Sequence, residues 1–339
     1  MFETTVAGGL PKPSWLAEPE VLWAAWRPDG DDILGEAKLD ATQLCIQTQE
    51  HAGIDIVSDG EQSRQHFVHG FPASIDGLDF ENTKRIGIRD DRYEADCPVV
   101  FSKVARKYSV HADYARHARA QTDRRLKFTL PCPMTIVDTI ADEHYGDRAT
   151  LAMEFARLLN DEARELEALS VDVIQFDEPA YNVYMDAVAG WGVESLNRTV
   201  AGLACTTAIH ICYGYGIKAN IDWKGGLGDE WRQYEQTFPV LADSDIDQVS
   251  LECINSNVPM SLIGLLEGKD ILVGAIDVAT NHVEKPEEVA GVIREALKYA
   301  PAERIFPCTN CGMVVLSQDV TYAKLRALSD GAAIMRAEV

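Results

Sequence analysis

Cations are scarce in this sequence: 31 Lys and Arg stand against 54 Asp and Glu, a formal net charge of −23. Phosphate backbones and anionic membrane surfaces need cationic neutralisation, so this balance argues against nucleic acid and membranes as partners. No apolar run approaches the ~20 residues that a membrane-crossing helix needs. The opening stretch MFETTVAGGLPKP lacks a basic segment followed by an apolar one, so no export signal is expected. A cytoplasmic setting with reduced thiols is then the default. The 8 cysteines are scattered rather than spaced as a disulfide framework, which leaves metal binding or catalysis for any that cluster.

Other absences narrow the fold. No low-complexity linker or internal repeat divides the 339 residues, and one domain over 1–339 is expected. A doubly wound dinucleotide-binding sheet would open a helix with a Gly-rich loop after its first strand, but AGGLPKP places prolines there. What is present is alternation. Strand-like apolar runs fall at 2–7, 54–58, 127–131, 171–176, 207–212, 246–252, 270–276 and 303–307. Helical periodicity fills 36–52, 148–169, 230–242, 259–267, 286–299 and 317–335. Eight strands with crossover helices between most of them predict a parallel sheet closed as a (β/α)8 TIM barrel. Residues 75–125 exceed one such unit. They predict a hairpin turning at Asp90–Asp91 and then a helix, inserted after strand two over the barrel mouth or at a subunit contact. The basic residues of this insertion read as a solvated face.

In a barrel of this kind chemistry collects at the C-terminal strand ends. Those ends carry Asp59 and Glu61, Asp177 and Glu178, His210 and Cys212, Glu252, and the pair Cys308 and Cys311. His210 and Cys212, in AIHICYG, stand two apart and would share one face of a strand. Taken singly, a buried histidine or free cysteine is more often a core residue. A second C-x-x-C is missing, so CTNC is not half of a zinc ribbon. Together, His210, Cys212, a late cysteine and Glu252 offer nitrogen, two sulfurs and oxygen, a set that points to zinc rather than magnesium or calcium. Residue type alone does not exclude copper or iron.

The stretches TTVAGGLPKPSWL, SDGEQSR, LPCPMTI, QFDEPA, IHICYG, VSLECINS and CTNCGM follow in the order and approximate spacing of the cobalamin-independent methionine synthase family. The chain resembles that family's catalytic C-terminal half over nearly its whole length. The resemblance implies a (β/α)8 barrel and a Zn2+ ion held by His210, Cys212, Glu252 and Cys311. It implies that Glu61 and Asp177 hold the amino group of homocysteine, and that the backbone of Val6–Ala7–Gly8 meets its carboxylate. Cys308 matches no ligand position and reads as a packed thiol; Asp59 and Glu178 read as structural. With two cysteinates and one glutamate on a dication, the site carries −1, and exchanging Glu252 for a substrate thiolate would keep that charge. The sulfur would stay electron-rich, activated as a nucleophile.

The chain also departs from the pattern. Two-barrel relatives carry an additional N-terminal barrel that helps bind a polyglutamylated methylfolate. The family's tryptophan against the pterin aligns with Thr139, its D-[IV]-H-S histidine with Ala279 (His282 is displaced), and its substrate-loop serine with Gly8. The expected reaction is therefore homocysteine S-methylation with a donor other than folate triglutamate, such as methylcobalamin or a corrinoid protein, or with an accessory protein. One rival is a zinc-dependent alkyltransferase acting on coenzyme M, whose sulfonate would meet Glu61 and Asp177 with the wrong sign. A uroporphyrinogen-decarboxylase-like barrel would need arginines on an acidic rim. A metal-storage or regulatory module is the non-enzymatic alternative.

Overall fold

The computed structural model describes residues 1–339. Its ten strands are β1 (Ile56–Ser58), β2 (Asp76–Ile88), β3 (Tyr93–Ala105), β4 (Arg125–Pro131), β5 (Ala141–Asp142), β6 (Val173–Asp177), β7 (Thr206–His210), β8 (Gln248–Glu252), β9 (Asp270–Ile276) and β10 (Ile305–Thr309). Seven of them form one parallel sheet in the order β1-β4-β6-β7-β8-β9-β10. Every residue of β6 and β8 is buried, as expected for strands covered on both faces. Of the long helices, Asp31–Ala52 precedes β1, Arg148–Ala168 and Pro286–Ala296 lie between strands, and Gln318–Glu338 follows β10, each burying one apolar stripe.

The sheet is curled. Ile56, Val173, Ala208, Leu272 and Cys308 make one cluster although they come from β1, β6, β7, β9 and β10, which are not all neighbours in the sheet, so the sheet bends round a shared interior. The N-terminal segment lies between the two sheet edges: the Thr5 N–H donates to the Pro307 carbonyl (3.0 Å) and the Ile56 N–H to the Thr4 carbonyl (2.9 Å). The strand expected over 2–7 is thus a single bridge at Thr5. Beyond it side chains take the backbone groups that a ladder would use. The Val6 carbonyl accepts from Lys127 Nζ (3.1 Å), the Ala7 N–H donates to Thr309 Oγ1 (3.1 Å), and the Ala7 carbonyl accepts from Gln175 Nε2 (2.5 Å).

Strand β7 ends at His210, so Cys212 lies just outside the strand expected to carry both. The Ile211 N–H turns to Ser250 Oγ (3.1 Å) and the Tyr213 N–H to Glu252 Oε1 (2.7 Å), which takes this segment out of the ladder. The segment expected as a helix over 259–267 is a 3-10 helix, Met260–Leu265.

Strands β2 and β3 pair antiparallel, and a helix, Ala112–Ala120, follows. Their turn holds Arg89, Asp90 and Asp91 at φ +55°, +57° and +56°, three consecutive left-handed residues without a glycine. Such a turn persists only when its surroundings fix it. Arg89 forms a buried ion pair with Asp138, and the Asp90 N–H donates to the Tyr184 hydroxyl (2.7 Å), which itself donates to Asp138 (2.5 Å). No helix is long and apolar enough to cross a membrane.

Candidate active site

Register brings the chemistry together. Asp177, the last residue of β6, is the partner of His210, the last residue of β7. One nitrogen of His210 and the sulfurs of Cys212 and Cys311 lie within 4.8 Å of one another. His210 Nδ1 is 2.9 Å from Ser250 Oγ, while Nε2 is buried with no hydrogen-bond partner. An orphaned buried imidazole nitrogen beside two sulfurs is what a soft-metal site leaves when its ion is removed. Cys311 Sγ donates to Cys212 Sγ across 3.7 Å. That hydrogen bond, together with His210, holds the Cys212 thiol well below its ordinary pKa. Burial pushes the His210 pKa down, but the neighbouring Cys212 and the Asp177 and Glu252 carboxylates outweigh it and the net shift is upward.

Glu252, expected as the fourth ligand, is not part of this group. Its carboxylate is turned to the protein: Oε1 accepts from the Tyr213 N–H (2.7 Å) and Oε2 from the Tyr215 hydroxyl (2.8 Å). Burial first, then the Cys212 charge, raises its pKa to about 7.

Two carboxylates face the same cavity of about 160 Å³ as His210, Cys212 and Cys311. Asp177 Oδ1 accepts from Gln175 Nε2 (2.8 Å); burial, opposed by His210 and reinforced by Glu61, raises its pKa to about 7. Glu61 Oε1 accepts from Thr129 Oγ1 (3.0 Å), and Glu61 itself sits at φ +57°. Buried carboxylates with so few donors around them favour a cation, such as an ammonium, between them. The loop expected at the substrate carboxylate needs adjustment. Ala7 and Gly8 line the cavity, but Val6 does not, and the Ala7 N–H is already spent on Thr309. Gly9 completes the wall, since a Cβ there would lie 2.9 Å from Glu61 Oε2.

Asp59 and Glu178 are tied into the protein. Asp59 pairs with buried Arg64 (3.0 Å) and accepts from the Glu61 N–H (3.2 Å). Glu178 accepts from the Met134 and Thr135 N–H groups (3.1 and 3.2 Å), satisfying the start of the helix Pro133–Asp138. Cys308 lies in the interior cluster, where burial pushes its thiol up to about 12.

Residues 2–333 match the family model described as the cobalamin-independent synthase catalytic domain. The chain belongs to the cobalamin-independent methionine synthase family. It is a methyltransferase. It is 31% identical over 344 residues to a methionine synthase of Saccharolobus solfataricus, covering all of this chain and 96% of that one. A methionine synthase of Sulfurisphaera tokodaii is 30% identical over 341 residues, with 94% of its length covered. The structure of a B12-independent methionine synthase from Shewanella sp. W3-18-1 in complex with selenomethionine superposes with a TM-score of 0.97 at 56% identity, over 100% of this chain and 98% of that one.

Against this family's pattern, Thr139 lines the cavity and turns its hydroxyl to the Thr135 carbonyl (3.1 Å). His282 is largely exposed, 3.9 Å from Glu288, so it does not stand in for the histidine that Ala279 replaces. The sequence reading missed His66 and Trp23, which stack at 4.2 Å on the cavity wall, and Lys12. It also placed the hairpin cations in solvent. Arg89 and Arg92 instead line the cavity, because the left-handed turn directs them inward; Arg92 lies 3.4 Å over the Trp223 ring and donates to Asn220 Oδ1 (3.1 Å). The four charged residues of RDDR, Arg89 to Arg92, were the only local signal for that turn.

Proposed function

We propose that this methyltransferase transfers a methyl group to the sulfur of homocysteine, giving methionine, with Zn2+ held by His210, Cys212 and Cys311 and with Glu252 as the ligand that gives way to substrate. The observation that carries this reading is the shared cavity: two sulfurs and an unpartnered imidazole nitrogen at one end, Asp177 and Glu61 beside them. Zinc, when bound, would keep the substrate sulfur as thiolate near neutral pH. Asp177 and Glu61 would grip the ammonium, and the N–H groups of Gly8 and Gly9 would receive the carboxylate. Since Asp177 adjoins His210 on the next strand, a gripped amino group leaves the sulfur of a short amino acid within reach of the ligand set.

The relatives support the reading. This chain spans nearly the full length of archaeal proteins named methionine synthase, so the two-barrel plan is not required for that name. The bound selenomethionine of the Shewanella relative is an analogue of the expected product. We read the curled sheet with the Thr4–Val6 segment as a (β/α)8 barrel forming one domain, with the β2–β3 hairpin and the following helix inserted over its mouth. Thr139 and Ala279, where the family's folate-side residues stand, favour a donor other than folate triglutamate: methylcobalamin, a corrinoid protein, or a donor delivered with an accessory protein. A coenzyme M alkyltransferase is disfavoured because a sulfonate would face Asp177 and Glu61. Methionine formation is to be measured with homocysteine and, in turn, methylcobalamin, methylfolate monoglutamate and methylfolate triglutamate. Turnover with the triglutamate as fast as with methylcobalamin contradicts the donor assignment; coenzyme M outcompeting homocysteine contradicts the substrate.

A further inference from the structure

The loop that follows Cys212 makes two different contacts with Glu252. The Tyr213 N–H donates to Oε1 (2.7 Å) and the Tyr215 hydroxyl donates to Oε2 (2.8 Å). Both carboxylate oxygens are thus engaged on the protein side, 1% of the residue is exposed, and the carboxylate stands apart from the His210–Cys212–Cys311 group. The Tyr215 hydroxyl is itself held by a second residue. Asn310, next to Cys311, donates to it through Nδ2 (3.4 Å) while that same nitrogen holds the Ile254 carbonyl (2.7 Å). Gly214 and Gly216 flank Tyr215 at φ +85° and +75°, left-handed positions that let the ring fold back toward β8. One short loop therefore carries a sulfur ligand at its start and a hydroxyl trained on a carboxylate three residues later.

We propose that Tyr215 is a positioning residue that holds Glu252 in a retracted position, so that its hydroxyl sets how readily the carboxylate yields its place to the substrate sulfur. The inference rests on the reading that Glu252 is the exchangeable ligand. In the exchange, a metal–oxygen bond to Glu252 would break, a bond to the substrate sulfur would form, and the thiol proton would leave to solvent. The carboxylate that is released is buried, and a buried anion without donors is expensive. The Tyr215 O–H and the Tyr213 N–H supply the two donors it needs, in the place where the structure finds it. The Tyr215 hydroxyl bonds to Glu252 and Asn310 and to neither sulfur nor His210, so its effect passes through Glu252.

The test is Tyr215→Phe, which removes the hydroxyl and keeps the ring, measured on the zinc-loaded protein. A hydrogen bond to a charged group contributes roughly 1.5–3 kcal/mol, about 10- to 100-fold in an equilibrium constant. The Kd for homocysteine is expected to rise within that range, and the Kd for zinc without substrate to stay the same or tighten, because Glu252 is no longer drawn away. A zinc affinity that falls while homocysteine binding is preserved would overturn the proposal and make Tyr215 a support for Glu252 as a ligand. In a Glu252→Ala background Tyr215→Phe should change homocysteine affinity no further; a persisting effect means direct contact with substrate and also overturns it. Wild-type protein that binds zinc but no homocysteine would instead refute the functional reading beneath it.

Discussion

Asp177 and His210 are direct partners across β6 and β7, each the final residue of its strand. A parallel ladder fixes that neighbourhood more tightly than a loop would, so the candidate ammonium clamp and the candidate metal ligand keep a constant separation. Asp177→Asn keeps the shape and the Gln175 contact but removes the charge. The expected result is a KM for homocysteine raised about 10- to 100-fold, the range for a hydrogen bond to a charged group, with zinc affinity little changed. Steady-state kinetics and zinc competition on the same variant check it.

Cys311 and Cys308 separate a candidate ligand from a core thiol. Cys311→Ser should weaken zinc by more than the roughly 10–100-fold that loss of an outer-shell partner costs. Cys308 sits among Ile56, Val173, Ala208 and Leu272, and a serine hydroxyl there would be buried without a designed partner. Cys308→Ser should leave zinc affinity intact and cost about 1–3 kcal/mol of stability. Chelator competition and denaturant unfolding distinguish the two, and equal zinc losses would mean the cysteines are misassigned.

Lys127 is fully buried between the Val6 carbonyl and Gln175 Oε1, neutral partners both, and burial lowers its pKa from 10.5 to about 8. Between those two values the unfolded chain holds more proton than the folded one, so stability from this group rises with pH there. Below about 8 the lysine is charged in both states and its burial cost is complete. Wild type should therefore gain on Lys127→Met as pH climbs from about 8 toward 10.5, by at most roughly 1.4 kcal/mol per unit. Urea unfolding of both proteins at several pH values gives the difference; a flat difference would show that the lysine stays charged when buried.

The hairpin tip depends on Arg89. Its buried pair with Asp138 is joined by Tyr184 and by half-exposed Arg148, so Asp138 keeps partners when Arg89 is removed. Arg89→Ala is expected to cost about 3 kcal/mol, the lower end for breaking a buried pair. It should also raise amide exchange over β2 and β3 well above the rate in β6 to β8. Uniform exchange across the chain would mean the hairpin is anchored elsewhere.

Much of this was legible in the sequence, for reasons that differ by element. The interior strands announce themselves as short segments rich in Val, Ile, Phe and Leu, although buried polar residues alternate within them, VIQFD in β6 and QVSLE in β8. The hairpin turn was readable from Asp90–Asp91. The first strand was not. Its apolar run looks like any other, and only Lys127, Thr309 and Gln175, far away in sequence, divert its backbone. The same holds at the site. Cys212 and Cys311 could be named from motifs, but that Glu252 turns to Tyr213 and Tyr215 depends on a loop conformation set by two left-handed glycines. The inward turn of Arg89 and Arg92 was equally hidden, because charge on a hairpin ordinarily means solvent and only Asp138 and Trp223 say otherwise.

In the proposed function, His210, Cys212 and Cys311 hold a zinc ion that takes the substrate sulfur in place of Glu252. Zinc X-ray absorption on the purified protein, with and without homocysteine, tests it most directly. The expected result is one zinc per chain with two sulfur scatterers, and three sulfurs with one fewer light-atom ligand once homocysteine is added. A metal-free protein, or a first shell that homocysteine leaves unchanged, would contradict it.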